Sequence, residues 1–454
     1  MPVLMLGFPA RSGAVLIAAG LIGAAAFPPL GLWPLTLVST AIFLRVLRDQ
    51  DTLAGRNLGL VYGLTYGLGT MYWLFSLFGP RAPALVGLMA AYFGLLATLI
   101  ALSRGSNPWL RAAVVAVFAV AVEWLRGDAW YLRFPWYTPP HALAQSPAWI
   151  SSVRWIGVYG LSALIWFLAA GGAFRHSAIW FAALFLPAGS LLLPAFAPPD
   201  LRVLLVQAEG DGAVQAVIPT VPAEQVDLAV LPEYAYTRPA KTVLASPYGP
   251  AALARRLQCP VVFGAVEGDY LSPPFSNVAV VIDAAGNVLG SFPKQKRVPL
   301  VADGTPGDRR PVFSLDQGVL GIGICYDFDA PEVAGWLARH RATVFVDPTM
   351  DAIEWSATQH DQHELLCRIR AVENDRWLLR ATTSGRSEVI DPHGHASAGG
   401  IEVGRTGYIV LPYGHRTTLP LGSWSAPLGP AAACITVAYL LIRCFRRRRA
   451  RPAV

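Results

Sequence analysis

Gly321-Ile322-Gly323-Ile324-Cys325-Tyr326-Asp327 runs from an apolar, glycine-spaced segment directly into a thiol and a carboxylate. The run Val319 to Cys325 reads as a buried strand with Cys325 at its carboxyl end. Asp329, Pro331 and Glu332 then read as the start of a helix over 331–339, since a capping-type residue and an early proline mark helix N-termini. A strand delivering a polar residue into a loop before a helix is the repeating step of a layered α/β domain.

Working outward, the same short β-branched runs recur at Leu201 to Gln207, Asp227 to Leu231, Pro260 to Val266, Asn277 to Asp283, Thr343 to Asp347, Trp377 to Thr382 and Tyr408 to Leu411. Ala284-Ala285-Gly286-Asn287 and Pro392-His393-Gly394 supply turns between strand pairs. Helical patterning covers 248–257 and 359–374.

Two further strand ends carry chemistry. Glu233 follows the apolar strand Leu228-Ala229-Val230-Leu231-Pro232. Lys294 lies in Ser291-Phe292-Pro293-Lys294-Gln295-Lys296, just past a strand pair. A thiol near a helix N-terminus is expected to have a lowered pKa, a carboxylate to shuttle protons, and an ammonium to stabilise the oxyanion of a tetrahedral intermediate. Glu233, Lys294 and Cys325 together suffice for acyl transfer. Singly, each has a bland reading: a packed structural cysteine, a surface carboxylate, a lysine in a solvated turn.

Farther out the sequence changes solvent. Of 454 residues, 54% are hydrophobic and 14% charged, against about 25% charged in ordinary soluble proteins. The apolar excess sits in 12–198 and 426–442. Candidate spans lie near 12–27, 32–46, 57–79, 82–103, 110–126, 153–171, 177–195 and 426–445, eight in all. Prolines and a tryptophan in Phe27-Pro28-Pro29-Leu30-Gly31-Leu32-Trp33-Pro34 separate the first two. The expected organisation is a bundle of about seven helices over 1–198, a soluble domain over 199–425, and a last helix with a basic tail over 426–454.

The net charge of +7 owes much to Arg443, Arg446 to Arg449 and Arg451, a run behind an apolar segment. This fits a cytoplasmic anchor rather than a nucleic-acid site. With the N-terminus inside, Arg11, Arg45, Arg48, Arg56, Arg104, Arg111 and Arg175 also fall inside, and the soluble domain is expected outside the cytoplasm. The first apolar stretch lacks a basic leader and a clean cleavage site, so it is expected to remain. Five cysteines without a CxxC pair indicate neither a disulfide framework nor a zinc site. His360 and His363 lack further ligands and read as a helix surface; no metal, nucleotide or other cofactor is expected. Glu123, Arg126 and Asp128 at a membrane helix end fit either a lipid headgroup contact or a plain salt bridge.

With Glu233, Lys294 and Cys325 in that order, the chain resembles the nitrilase (carbon-nitrogen hydrolase) superfamily. With the membrane segments it resembles the apolipoprotein N-acyltransferase family. The likeness rests on Phe27 to Pro34, Tyr66-Gly67-Leu68-Gly69 with Tyr72-Trp73, Glu123-Trp124-Leu125-Arg126-Gly127 with Phe134-Pro135-Trp136, and Gly157-Val158-Tyr159-Gly160-Leu161-Ser162. In the soluble part it rests on Gln362-His363, Arg370-Ala371, Glu373, Arg380-Ala381-Thr382 and Val389-Ile390-Asp391-Pro392.

The resemblance implies an αββα sandwich joined to a membrane helix bundle, in a multi-pass protein of a bacterial cell membrane acting as a monomer. It implies that Cys325 takes an acyl chain from a phospholipid as a thioester and passes it to the α-amine of a diacylglyceryl cysteine on an apolipoprotein. Glu233 would be the base and Lys294 the oxyanion partner, with Tyr326, Asp327, Asp303 and Trp355 in the substrate-handling shell. The chain departs from the family pattern in that shell. Ala302 stands where the family has a glutamate, with Asp303 beside it. Asp327 replaces a glutamate, Met350-Asp351-Ala352-Ile353 replaces Asn-Asp-Ala-Trp with Trp355 displaced, and only nineteen residues separate Gln207 from Asp227. Two other readings stay open: a membrane-tethered amidase or acyltransferase with another acceptor, and a silent membrane scaffold.

Overall fold

The computed structural model describes residues 10–105, 107–223 and 225–449. The chain divides into two compact units, one of 1–146, 156–188 and 425–454, the other of 147–155 and 189–424.

The first unit is helical. Among the described residues, four helical stretches are long and apolar enough to cross a membrane: Leu74–Leu102, Pro108–Gly127, Val153–Phe174 and Leu421–Arg446. Ala10–Ala24, Leu35–Leu47 and Ser177–Leu192 are apolar but shorter. The expected span over 57–79 is broken instead. A helix over Thr52–Thr70 ends at Met71, and a short one over Leu74–Phe78 leads toward Ala82–Leu102. The Thr52–Thr70 helix packs through glycines: a Cβ on Gly59 would sit 2.5 Å from the Phe93 carbonyl, and one on Gly63 2.7 Å from Ala90 Cα. Close backbone approach of this kind replaces the hydrophobic drive that lipid cannot supply. Gly429 on the last helix, Leu428–Arg449, likewise faces Trp124. Arg451 lies outside the described residues.

The second unit is a two-sheet sandwich. Its strands are β1 (Leu201–Gln207), β2 (Leu228–Val230), β3 (Val261–Asp269), β4 (Ser272–Ile282), β5 (Val288–Pro293), β6 (Val312–Leu315), β7 (Gly318–Ile322), β8 (Val344–Thr349), β9 (Trp377–Thr382), β10 (Glu388–Ile390) and β11 (Gly407–Tyr413). One sheet has the order β11-β1-β2-β3-β4-β5 and the other β10-β9-β8-β7-β6. Strands β1, β2 and β3 run parallel in the first sheet and β7, β8 and β9 in the second, with antiparallel neighbours outside them.

Alternation explains the layers. Val203, Leu205, Val230 and Val262 pack with Leu320, Ile322, Val344 and Val346 between the sheets. Their neighbours Leu204, Val206, Ala229 and Val261 face the other way, against Val214, Leu253 and Leu257 on outer helices. The helices Pro331–Arg339 and Ala357–Asn374 cover the second sheet through Val333, Leu337, Cys367 and Ala371. The result is the αββα arrangement that the family resemblance implies.

Candidate active site

Glu233, Lys294 and Cys325 reach one place from three strand ends. Past β2, Pro232 leads the chain to Glu233, with the next residue, Tyr234, left-handed at φ 50°. Gly264 on β3 makes room for this turn. A Cβ there would lie 2.4 Å from the Pro232 carbonyl and 2.7 Å from Glu233 Cα. Lys294 follows β5 directly, its N–H donating to the Asn277 carbonyl at 2.9 Å.

Cys325 differs from its expected placement. Strand β7 stops at Ile322, and Cys325 heads a tight 3₁₀ turn, Cys325–Asp327, at φ 52°. The helix begins only at Pro331, so the thiol does not sit at its N-terminus. Nor is the thiol acidified. Burial pushes its pKa well up, the nearby Glu233 carboxylate adds to this, and Lys294 opposes both. The thiol is therefore held protonated until a base takes its proton.

The Glu233 carboxylate lies in the same cluster. Glu233 Oε1 accepts from Lys294 Nζ at 2.8 Å and from Asn277 Nδ2 at 2.6 Å; Oε2 accepts from the Met350 N–H at 2.7 Å. Cys325 Sγ lies 3.8 Å from the Met350 carbonyl, so Glu233 and Cys325 flank the same residue. Burial raises the Glu233 pKa, Lys294 draws it down and Asp303 raises it again. Burial alone would discharge Lys294, yet Asp303 and Glu233 hold its pKa well above the ordinary value, so it stays an ammonium.

Asp303 is a full member of this cluster. It is buried, its Oδ2 is 2.7 Å from Lys294 Nζ, and its Oδ1 accepts from Tyr234 Oη and Asn277 Nδ2, both at 3.1 Å. Tyr234 and Asn277 escaped the sequence reading. Asn277 left a trace, as a lone amide opening the apolar run Val278 to Ile282.

Asp327, expected to face substrate, is instead a brace. It is fully buried and spends both oxygens on backbone N–H groups: Oδ1 takes Lys296 at 2.6 Å and Gln295 at 3.0 Å, and Oδ2 takes Ile324 at 2.9 Å. It thereby ties the lysine loop to the cysteine turn. Burial pushes its carboxyl up to about 7 against those hydrogen bonds. Tyr326 is buried beside the nucleophile, and Trp355 is half-buried in the turn Ile353–Trp355. His360 and His363 are buried, not on a helix surface, and His363 joins an ion-pair network with Asp351 and Asp329. Among the described residues no cluster suits a metal ion.

In the first unit, Glu123 accepts from Ser162 Oγ at 2.5 Å and Trp166 Nε1 at 2.9 Å, while Arg126 caps the Phe134 and Trp136 carbonyls at 3.0 and 2.5 Å. Asp128 accepts from Tyr159 Oη. Glu123 and Arg126 line one small cavity of about 40 Å³ with Tyr62, Tyr66 and Tyr137.

Comparison with known proteins agrees with both units. Residues 19–171 match the apolipoprotein N-acyltransferase N-terminal domain, and residues 207–408 match the carbon-nitrogen hydrolase family. A Pseudomonas aeruginosa (strain LESB58) apolipoprotein N-acyltransferase is 26% identical, across 83% of this chain and 85% of the relative. The Rhizobium meliloti (strain 1021) protein of that name is 28% identical over the same shares, 83% and 85%. Among solved structures, Saccharomyces cerevisiae Nit3, of the nitrilase superfamily, aligns with a TM-score of 0.40 at 22% identity, covering 48% of this chain and 92% of its own. Two domain matches in sequence, with relatives aligned over 83% of the chain, support the apolipoprotein N-acyltransferase family within the carbon-nitrogen hydrolase superfamily.

Proposed function

We propose that this protein transfers a fatty acyl chain from a phospholipid, through a thioester on Cys325, to the α-amine of an N-terminal diacylglyceryl cysteine of apolipoproteins. The reading rests on the buried Glu233–Lys294–Asp303 cluster beside Cys325, in a chain whose full-length relatives carry that name.

Glu233 takes the Sγ proton as sulfur attacks the ester carbonyl of the donor, and the carbonyl electron pair moves onto oxygen. The ammonium of Lys294 faces that oxyanion. Collapse breaks the ester C–O bond, and the proton on Glu233 passes to the departing lysophospholipid alkoxide. The acceptor amine then attacks the thioester and loses its proton to Glu233. The second collapse breaks the C–S bond to leave the amide, and the proton on Glu233 returns to sulfur.

A neutral thiol suits this cycle, because sulfur becomes charged only as the base removes its proton. Both substrates are lipids, which gives a physical reason for joining the sandwich to helices. In this reading the chain crosses a bacterial cell membrane eight times and acts as a monomer. The soluble domain over 199–425 lies outside the cytoplasm, the Arg443 to Arg451 tail inside, and Tyr326, Asp303 and Trp355 shape the substrate site.

Intact-mass analysis of purified protein after incubation with phospholipid tests the chemistry. Wild type should gain one hydroxylamine-labile acyl group, and Cys325→Ala and Glu233→Ala none; a diacylglyceryl lipopeptide should discharge it. A folded wild type that never acquires the adduct overturns the reading.

A further inference from the structure

Cys325 presents its thiol from a left-handed turn, a backbone region that residues other than glycine adopt only when their surroundings enforce it. The enforcing contact is Asp347, near the end of β8. Its Oδ1 accepts from the Cys325 N–H at 3.0 Å and from Thr349 Oγ1 at 2.7 Å.

Asp347 is itself clamped. It stands in register with Arg380 on β9, whose one guanidinium nitrogen donates to Asp347 Oδ2 at 2.8 Å and whose other donates to Asp351 Oδ2 at 2.7 Å. Asp351 Oδ1 meets His363 Nδ1 at 2.8 Å, and His363 Nε2 faces Asp329 Oδ1 at 3.2 Å. Asp329 lies four residues past the nucleophile, so the chain of contacts closes on the cysteine's own loop. Asp347, Asp351 and Arg380 are fully buried. The same strand end supplies Met350, whose N–H holds Glu233. Strand β8 therefore sets the spacing between nucleophile and base, with Asp347 gripping one and Met350 the other.

We infer that Asp347, clamped by Arg380, is a positioning residue for acyl transfer: it holds the Cys325 N–H and thereby fixes the turn that aims the thiol at Glu233. The inference rests on the proposed function for its relevance to catalysis, though its physical content concerns the thiol alone.

Two rates on the purified full-length protein test it: alkylation of Cys325 by iodoacetamide, and acyl-adduct formation on phosphatidylethanolamine–phosphatidylglycerol vesicles. Asp347→Ala should slow both by at least about tenfold in folded protein, as misplacement of reacting groups does. Asp347→Asn keeps an oxygen for the N–H and should recover much of the loss. Should Asp347→Ala fail to fold, Arg380→Lys serves: one ammonium cannot replace the two-armed grip, and both rates should again fall. Cys259→Ala is the control, since Cys259 is a buried cysteine that packs with Ala229 and Val261 on the outer side of the first sheet; it should leave both rates near wild type.

A merely structural or electrostatic role predicts otherwise. Removing a negative charge near sulfur favours thiolate, so alkylation of Asp347→Ala at the wild-type rate or faster overturns the inference. Wild type that alkylates but takes no acyl chain defeats the proposed function, while the alkylation rates still decide whether Asp347 positions the thiol.

Discussion

At the scale of single residues, the site is a problem of two carboxylates and one ammonium. Lys294 satisfies Glu233 and Asp303 at once, and Asp303 keeps the Glu233 pKa higher than Lys294 alone would leave it. A base with a raised pKa binds the thiol proton more readily. Asp303→Asn should therefore lower the Glu233 pKa and weaken the base. We expect thioester formation to slow by roughly tenfold, a fraction of the about 10²–10⁴-fold that a positioned general base contributes, with the acid limb of the pH–rate profile moving to lower pH. Stopped acyl-adduct time courses between pH 4 and 8 check this, and an unmoved limb would remove Asp303 from the proton chemistry. Glu233, Lys294 and Cys325 were legible in the sequence because each follows an apolar strand in a fixed order. The state of the thiol was not legible, because it depends on burial by residues distant in the chain. The bracing by Asp327 was not legible for the same reason, because its backbone partners Gln295 and Lys296 lie in a different loop.

At the scale of elements, β3 and the Ala357–Asn374 helix each fix one side of the site. Gly264 on β3 admits the Glu233 turn where any Cβ would strike it. Gly264→Ala should cost about 1–3 kcal/mol, the range for overpacking, and should slow acyl-adduct formation more than its loss of stability explains. Melting curves paired with adduct rates would show this; a variant with lower stability and unaltered rate would mean the turn adapts. On the helix, burial alone would lower the His363 pKa, but Asp351 and Asp329 overcome it and, against Arg380, push it up to about 9. The folded pKa lies above the unfolded one, so His363 stabilises the domain fully below about pH 6.5 and progressively less as pH rises through about 9. The shift corresponds to on the order of 3 kcal/mol. Wild type should melt higher than His363→Gln at pH 6, with the gap closing by pH 10; a gap independent of pH would mean that His363 is neutral. Eight strands of the sandwich were legible from β-branched runs. Of the other three, β5 was implied only by the turn Ala284 to Asn287, and β6 and β10 are four- and three-residue runs without the longer apolar context that marks the equally short β2. Apolarity could not foresee the break at Met71 either, because it comes from backbone geometry inside a continuous apolar run.

At the scale of the whole molecule, one chain is written for two solvents, and its short loops carry a charge bias from which the positive-inside rule predicts their sides. Arg45, Arg48, Arg56, Arg104, Arg111, Arg175 and the terminal arginines all fall on one side if the chain crosses eight times. That count includes the short apolar helices Ala10–Ala24, Leu35–Leu47 and Ser177–Leu192, and the glycine-rich Thr52–Thr70. An odd number of crossings before residue 199 puts the sandwich opposite those arginines; an even number puts it among them. Single cysteines decide the matter, in a background lacking Cys325, Cys434 and Cys444. Asp49, 84% exposed beside Arg48, and Asp316, exposed in the β6–β7 turn, are suitable places. A membrane-impermeant maleimide applied to spheroplasts should label Asp316→Cys at once and Asp49→Cys only after lysis. Labelling of Asp316→Cys only after lysis would put the sandwich inside, and the phospholipid donor would then have to come from the inner leaflet; labelling of both before lysis would mean that one of the helices between residues 52 and 192 fails to cross.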